Sequence, residues 1–255
     1  MKDILQQLQP TERFTGLVDN YAKYRPSYPP ELIDFIEQET GLQKDWNIAD
    51  VGSGTGIFSR LLLERGYKVY GVEPNKNMRE AAESGLVPYK KFTSIDATGE
   101  KTTLQGRSID LITVAQAFHW INAEEAKLEF RRILKPPGYV ALIWNIRTTN
   151  TPFLAAFEQL KIDYGTDYKA TRMLKENDIA SFFEPGHVKY ACFPHYQRLD
   201  YEALKGQLLS TSYVPQEGKK HDEMIEMLES LFSRYVENEL VKIEYEAKVY
   251  LRVEN

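Results

Sequence analysis

The sequence predicts an α/β fold built on a doubly wound, mostly parallel sheet, with an antiparallel C-terminal edge strand and a helical lid insertion. Three observations predict it. Short apolar runs alternate with amphipathic helical stretches from residue 48 to residue 145. A glycine-rich loop separates the first run from the helix that follows it. Beyond Asn150 the alternation gives way to helical patterns spaced by loops. Strands separated by single helices imply right-handed crossovers, which wind the chain on both faces of one sheet.

In chain order, Pro26, Pro29 and Pro30 interrupt the stretch from Gln9 to Pro30, so a short helix ending near Tyr24 fits it. Pro30 suits the first turn of a helix over Glu31–Glu39, where Leu32, Phe35 and Ile36 share a face, and Gly41 suits its C-terminal cap. Strands follow at Ile48–Val51, Lys68–Val72, Tyr89–Ile95, Ile109–Ala115 and Tyr139–Asn145. The helices between them are Ile57–Glu64, Lys76–Glu83 and Ala123–Leu134, the last stopped by Pro136 and Pro137. The run Tyr139–Asn145 is almost continuously apolar, as a central parallel strand covered on both faces requires. Later helical patterns fall at Pro152–Tyr164, Tyr201–Leu209 and His221–Asn238. Strand-like stretches fall at Val188–Tyr196 and Ile243–Val253; the latter alternates by two and has no helix after it, hence an antiparallel strand at the sheet edge.

The chain has 255 residues, 42% of them hydrophobic and 27% charged, enough for one large domain or a domain with a lid and too apolar for a disordered chain. Lys and Arg number 32 against 37 Asp and Glu, a net charge of −5 with no basic block, which argues against nonspecific nucleic-acid binding and against a polybasic membrane patch. A small-molecule partner is the expectation. One cysteine, Cys192, allows no intramolecular disulfide and no thiolate-rich metal cage. The four histidines, His119, His187, His195 and His221, lack ligand spacing, so no metal is expected. Met1–Phe14 has no apolar core of a leader, and no run of 18 apolar residues follows, so the expected location is cytoplasmic. The expected state is a monomer or a homodimer, the Tyr-rich entry being one surface that could serve a dimer contact.

The most specific local feature is Asp50-Val51-Gly52-Ser53-Gly54-Thr55-Gly56, directly after a strand and opening a helix. Glycines there permit a tight turn, let a ligand approach the backbone, and leave amide N–H groups facing the cleft. A dinucleotide fingerprint needs a third glycine at position 57, which is Ile57, so a nicotinamide-dependent oxidoreductase is the weaker alternative. At the end of the second strand, Glu73 in Val72-Glu73-Pro74-Asn75 is an acid placed to accept hydrogen bonds from both hydroxyls of a ribose.

These segments, DVGSGTG, VEPN, SIDLITVAQAFHW and RRILKPPGYVALIW, resemble class I S-adenosylmethionine-dependent methyltransferases over roughly residues 45–146. RPSYP near the N-terminus and AQAFHW resemble the subgroup of trans-aconitate methyltransferase-like, small-molecule enzymes. The resemblance implies a Rossmann-like core at 45–150 that binds S-adenosyl-L-methionine. N-terminal helices at 1–44 would cover the cleft. A mostly helical lid or substrate insertion would occupy 151–240, with one sheet strand at about 188–196, and a final edge strand 241–255. It implies that Asp50, Gly52 and Gly54 meet the methionine part, that Glu73 holds the ribose, and that Asp96 and Ala97 lie near the adenine amino group. Two departures stand out: the usual Leu-Lys-Pro-Gly-Gly turn reads Leu134-Lys135-Pro136-Pro137-Gly138, and the link Gly99–Arg107 is longer and more polar than usual. A non-catalytic cofactor-binding protein of the same fold remains a third reading.

Ligands of open α/β sheets bind at the C-terminal ends of the strands, where Gln116, His119 and Trp120 follow the fourth strand. His119 is a candidate general base for a hydroxyl or amine, or a hydrogen-bond donor to a carboxylate; the alternative is a histidine packed structurally beside Trp120. Gln116 is expected to touch cofactor or substrate. The resemblance implies that Arg25 lies over the donor and pairs with the cofactor carboxylate in a bidentate fork; the alternative is a surface arginine before a proline turn. Tyr21, Trp120 and Arg147 are the candidate substrate contacts, Arg147 for an anionic group. Aromatics of the insertion, Tyr164, Tyr168, Phe182, Phe183 and Tyr213, are read as lid core. A carboxylate acceptor is already ionised at neutral pH and needs no base.

Overall fold

The structure is a computed structural model, and it describes residues 18–166, 176–184 and 186–254. Met1–Phe14 and Tyr168 lie outside the described residues, as does the side chain of Tyr21. Two helices come first, α1 (Val18–Tyr24) and α2 (Pro30–Thr40). Pro at the first turn starts α2, and Gly41, at φ 67, ends it with its amide bonded to the Glu37 carbonyl.

Seven strands then form one sheet: β1 (Asn47–Val51), β2 (Lys68–Val72), β3 (Phe92–Ile95), β4 (Ile109–Ala115), β5 (Leu134–Arg147), β6 (Lys189–Leu199) and β7 (Val241–Glu254). Their order is β3-β2-β1-β4-β5-β7-β6. The first five pair in parallel, and β7 runs antiparallel to both β5 and β6. The doubly wound, mostly parallel α/β sheet of the sequence reading is therefore present. Helices α3 (Ile57–Glu64), α4 (Lys76–Gly85) and α5 (Ala123–Ile133) alternate with the strands. Asn75 and Asn122 cap α4 and α5, accepting hydrogen bonds from the amides of Met78 and Glu125.

Period-two burial divides the core. On one face Leu32, Ile36, Phe58 and Leu62 from helices α2 and α3 cover Ile48, Val69, Ala141 and Ile143; on the other Ala126, Phe130 and Ile133 of α5 cover Ala49, Ile112, Val140 and Leu142. The insertion adds α6 (Pro152–Tyr164), α7 (Glu176–Phe183), α8 (Tyr201–Leu209) and α9 (Lys219–Tyr235), and its core gathers Phe153, Phe157, Leu204, Leu208, Met224 and Leu228 over the near end of β7. Among the described residues, no helix is long and apolar enough to cross a membrane.

Two expectations are corrected. The last strand is not outermost, because β6 pairs beyond it and takes the edge. Alternation along β7 reports one buried face, not a missing in-plane neighbour. The available edge signal was Pro194, which has no N–H for a further ladder and sits in the middle of β6. The fifth strand also begins earlier than Tyr139: Leu134 already pairs with Ile109, and the ladder resumes at Leu111 and Tyr139 past the cis Pro136–Pro137 bond.

Helix α1 packs on α8 through Gly206, where a Cβ would lie 2.1 Å from Cε2 of Tyr24. Gly206→Val is expected to lower stability by about 1–3 kcal/mol, the range of overpacked contacts, and to speed tryptic cleavage after Lys23. Urea unfolding and limited proteolysis check this; an unchanged midpoint with unchanged cleavage contradicts the packing account.

Candidate functional site

The glycine loop is built by backbone conformation first. Gly52, Gly54 and Gly56 have φ of 70, 55 and 81, a left-handed region that side chains disfavour. Gly52 is also sterically required, since a Cβ on it would lie 2.3 Å from the Cβ of Ala117. The amides of Gly52 and Ser53 both donate to the Val72 carbonyl, at 2.8 and 3.2 Å, which ties the loop to the end of β2. One residue on, the Gly54 amide donates to Oε2 of Glu73 at 3.0 Å, and the Asn75 amide donates to Oε1 at 2.8 Å. Burial pushes the Glu73 carboxyl up, opposed by these two amides and by Arg79. Each oxygen keeps a lone pair for a ligand hydroxyl.

Asp50 sits beneath the loop. Its carboxylate accepts from Ser59 Oγ at 2.6 Å and from Thr113 Oγ1 at 2.9 Å, joining β1 to α3 and β4. Burial raises its pKa to about 6 against the pull of those hydroxyls. Asp50 borders the cleft, but both oxygens already bond within the protein, so the structure gives it the part of loop anchor.

Two cavities meet at the loop. One, of about 280 Å³, is lined by Glu73, Pro74, Met78, Thr98, Glu100 and Ile121; the other, of about 250 Å³, by Arg25, His119, Asn145, Arg147, Gln207 and Tyr245. Gly52, Gly54, Ala115, Gln116 and Trp120 line both. Gln116 has φ 58, and its Nε2 donates to the Asn145 carbonyl at 2.7 Å, fastening the end of β4 to β5. His119 lies on a short 3₁₀ turn, Phe118–Trp120, with its ring 4.7 Å from that of Trp120. Burial depresses the imidazole to about 4, so it is neutral at physiological pH.

Arg25 donates from Nη2 to the Ser210 carbonyl at 3.1 Å, which holds the segment after α1 against the lid. The Arg147 guanidinium lies 4.9 Å over the Phe157 ring, and its Nη1 is 3.4 Å from Oε2 of Glu158, an oxygen that also takes the ammonium of Lys161. Its Nε is buried and has no hydrogen-bond partner among the described residues. The structure thus brings together Arg25, Asp50, Gly52, Gly54, Glu73, Gln116, His119, Trp120 and Arg147.

Asp96 and Ala97 are the exception. Asp96 is 72% exposed and pairs with Nη2 of Arg79 at 2.7 Å, while Ala97 is buried in the core; neither lines either cavity. Arg79, bonded also to the carbonyls of Glu73 and Pro74, draws the acid outward. Thr98, Gly99 and Glu100 line the cleft in their place, with Glu100 accepting from the Asn122 amide at 2.7 Å. Gln207 and Tyr245 were missed altogether, as was Met78, whose signal was its place in the first turn of the helix after Glu73. Gln207 donates to Gln197 and to the Tyr245 hydroxyl, both at 2.9 Å, a network formed by residues far apart in the chain.

Comparison with known proteins bears on this cleft. Residues 49–142 match the family model of a methyltransferase domain, which spans the glycine loop, Glu73 and Gln116–Trp120. A methyltransferase-like protein of Schizosaccharomyces pombe is 27% identical over 242 residues, covering 91% of this chain and 92% of its own. An uncharacterised methyltransferase of Mycobacterium tuberculosis is 35% identical over 134 residues, and that match spans 52% of each chain, about half of the relative's length. Among solved structures, phosphoethanolamine N-methyltransferase 2 of Haemonchus contortus, in complex with S-adenosyl-L-methionine, has a TM-score of 0.57 at 13% identity, covering 98% of this chain and 60% of that one. Geranyl diphosphate C-methyltransferase of Streptomyces coelicolor has a TM-score of 0.53 at 12% identity, covering 100% and 97%. The domain match and the relatives are methyltransferases and the fold is shared with solved methyltransferases; none favours the nicotinamide-dependent alternative.

Asp50 makes a prediction of defined sign. Its carboxyl titrates near 6 in the fold and near 3.8 when exposed, so the unfolded chain releases this proton first and stability falls as pH rises from about 4 to about 6. The loss is on the order of 3 kcal/mol at about 1.4 kcal/mol per unit. Urea unfolding of wild type and Asp50→Asn across that range is expected to show wild type losing ground to the variant; a pH-independent difference contradicts it.

Proposed function

We propose that this chain transfers the methyl group of S-adenosylmethionine to a small acceptor whose carboxylate is anchored by Arg147. The observation that carries the reading is the Glu73 carboxylate, held by the Gly54 amide where the two cavities meet. The residues present suit this cofactor. Gly52 and Gly54 put bare backbone on the wall that the two cavities share. Thr55 Oγ1 is buried at the cavity wall without a hydrogen-bond partner among the described residues, and the lone pairs left on Glu73 suit two ribose hydroxyls. Glu73 would hold the ribose, Met78 and Ile121 would flank the base, and Arg25 would take the amino-acid carboxylate. When bound, the cofactor supplies an electrophilic methyl on a sulfonium.

The protein's part is orientation. Fixing nucleophile and methyl donor in line lowers such a barrier by up to about 7–11 kcal/mol in favourable cases. Arg147 lines the cleft with Phe157 beneath its guanidinium and Glu158 beside it, which presets the planar group for a carboxylate. A carboxylate acceptor arrives ionised and needs no base. A neutral His119, with its pKa near 4, then acts as a hydrogen-bonding wall of the cleft, because a base this weak gains little proton affinity at neutral pH. This reading agrees with the resemblance to the trans-aconitate methyltransferase-like subgroup.

Calorimetry with S-adenosylhomocysteine tests the cofactor half: wild type is expected to bind, and Glu73→Ala to bind at least about tenfold more weakly, a change of about 1.4 kcal/mol. No binding by wild type, or undiminished binding by the variant, overturns it. Radiolabelled methyl transfer to a panel of mono-, di- and tricarboxylates tests the acceptor half. Arg147→Met is expected to raise KM at least about tenfold with S-adenosylhomocysteine affinity unchanged, and His119→Asn to leave kcat within about tenfold, whereas loss of a general base costs about 10²–10⁴. Collapse of kcat in His119→Asn would return the histidine to a proton-transfer role.

A further inference from the structure

The end of the sheet opposite the glycine loop carries a second depression, of about 390 Å³, lined by four cations, Arg107, Arg131, Lys135 and Arg252, and one carboxylate, Glu254. It lies where β4 and β5 begin and β7 ends, whereas the cleft lies where β4 and β5 end. Pro136 and Asn145 border the two sites on the same strand, and the regular ladder between them, Tyr139 to Asn145, spans roughly 20 Å at about 3.3 Å per residue.

Among the described residues, local pairing is uneven across these cations. Lys135 Nζ is held by both oxygens of Asp110, at 2.9 and 2.8 Å. Arg252 Nε lies 3.2 Å from Glu254 Oε1, while Arg131 Nε reaches the other oxygen only at 3.9 Å. Among the described residues, the Arg107 guanidinium has no ion pair or side-chain hydrogen bond. Among the described residues, then, Lys135 and Arg252 have carboxylate partners close by, while Arg131 has only a long contact and Arg107 none, on a chain whose net charge is −5. The C-terminal dipole of α5 accounts for a cation at Arg131, but Arg107 comes from a loop and Arg252 from β7. The Arg107 loop is clamped to the end of α5, its own amide on the Arg132 carbonyl at 3.0 Å and the Ser108 amide on the Ile133 carbonyl at 2.9 Å. Arg107 itself has φ 51, a left-handed conformation that a non-glycine residue disfavours. The fold therefore tolerates backbone strain at the residue whose side chain is the unpartnered cation of the rim.

We propose that this depression binds the phosphate or diphosphate group of a soluble small molecule. Guanidinium forks match tetrahedral oxyanions bidentately, and the volume falls within that of small-molecule sites, about 300–1,000 Å³. The four cations converge on one concavity instead of lining a groove, which suits a compact anion and not an extended strand. The proposal stands independently of the acceptor assigned to the cleft.

Titration calorimetry of the full chain with inorganic pyrophosphate at low ionic strength tests it. Wild type is expected to bind one equivalent, weakening as salt is added. Arg107→Ala/Arg131→Ala is expected to lose at least about tenfold in affinity, about 1.4 kcal/mol, while Arg147→Met in the cleft is expected to bind like wild type. Amide shifts of ¹⁵N-labelled wild type on adding pyrophosphate provide a readout independent of the variant's folding, and are expected at Arg107, Arg131 and Arg252. Absence of saturable binding, affinity lost in Arg147→Met but kept in the double variant, or shifts confined to Gly52–Gly56 would each overturn the proposal. So would capture of the chain by phosphatidic acid vesicles with no response to pyrophosphate.

Discussion

One hydrogen bond organises the cleft: the Gly54 amide on the Glu73 carboxylate. It joins the loop after β1 to the end of β2, and both its partners are set by their surroundings. The amide points correctly because three glycines accept left-handed φ values in five residues, and because Asp50, locked to Ser59 and Thr113, fixes the strand end from which the loop departs. The carboxylate is held in place by the Asn75 amide, while the Asn75 side chain caps α4. Sheet register does the rest, since β1 and β2 pair residue for residue through Val51 and Val72 and bring the two chain turns side by side.

The same logic explains which parts of the molecule were legible in the sequence. The strand and helix alternation needed only local spacing, and the loop needed only glycines after a strand, so both could be read directly. The placement of β6 outside β7 is an in-plane relation, and period-two burial says nothing of in-plane neighbours; Pro194 did, but only once its strand was assigned. Helix α7 escaped notice although Ile179, Phe182 and Phe183 stand at helical spacing, because the two phenylalanines were read only as lid aromatics. Asp96 shows the limit of a motif. Its position after β3 is as expected, yet Arg79, four residues into the next-door helix, competes for its carboxylate and leaves the cavity wall to Thr98, Gly99 and Glu100. Gln207 and Tyr245 had no local signal at all, because their contact joins residues separated by the whole of α9.

Charge within the cleft is handled by burial as much as by pairing. The loop side holds two carboxylates, Asp50 and Glu73, whose pKa values are both raised by desolvation and both restrained by hydrogen bonds. The opposite wall presents the guanidinium groups of Arg25 and Arg147. Between them His119 is depressed into its neutral form. A protonated imidazole there would add a third cation to a wall that already holds two, so its neutrality is what lets a ring nitrogen serve as either donor or acceptor toward a ligand.

The wall that carries Arg25 and Arg147 is not part of the sheet alone. Arg25 is bonded to the lid at Ser210, Gln207 of α8 reaches the Tyr24 carbonyl, and Gly206 admits the Tyr24 ring against the helix. Arg147 leaves the end of β5 and is propped by Phe157 and Glu158 of α6. Residues beyond β5, in α6 and after α8, therefore position both cations, while the loop and Glu73 belong wholly to the α/β core. The division makes the carboxylate side of the cleft a property of the sheet and its loops, and leaves the setting of the cationic side to α6 and α8. Changes in α6 or α8 can thus reshape what the cleft accepts without disturbing the hydrogen bond on which the loop depends.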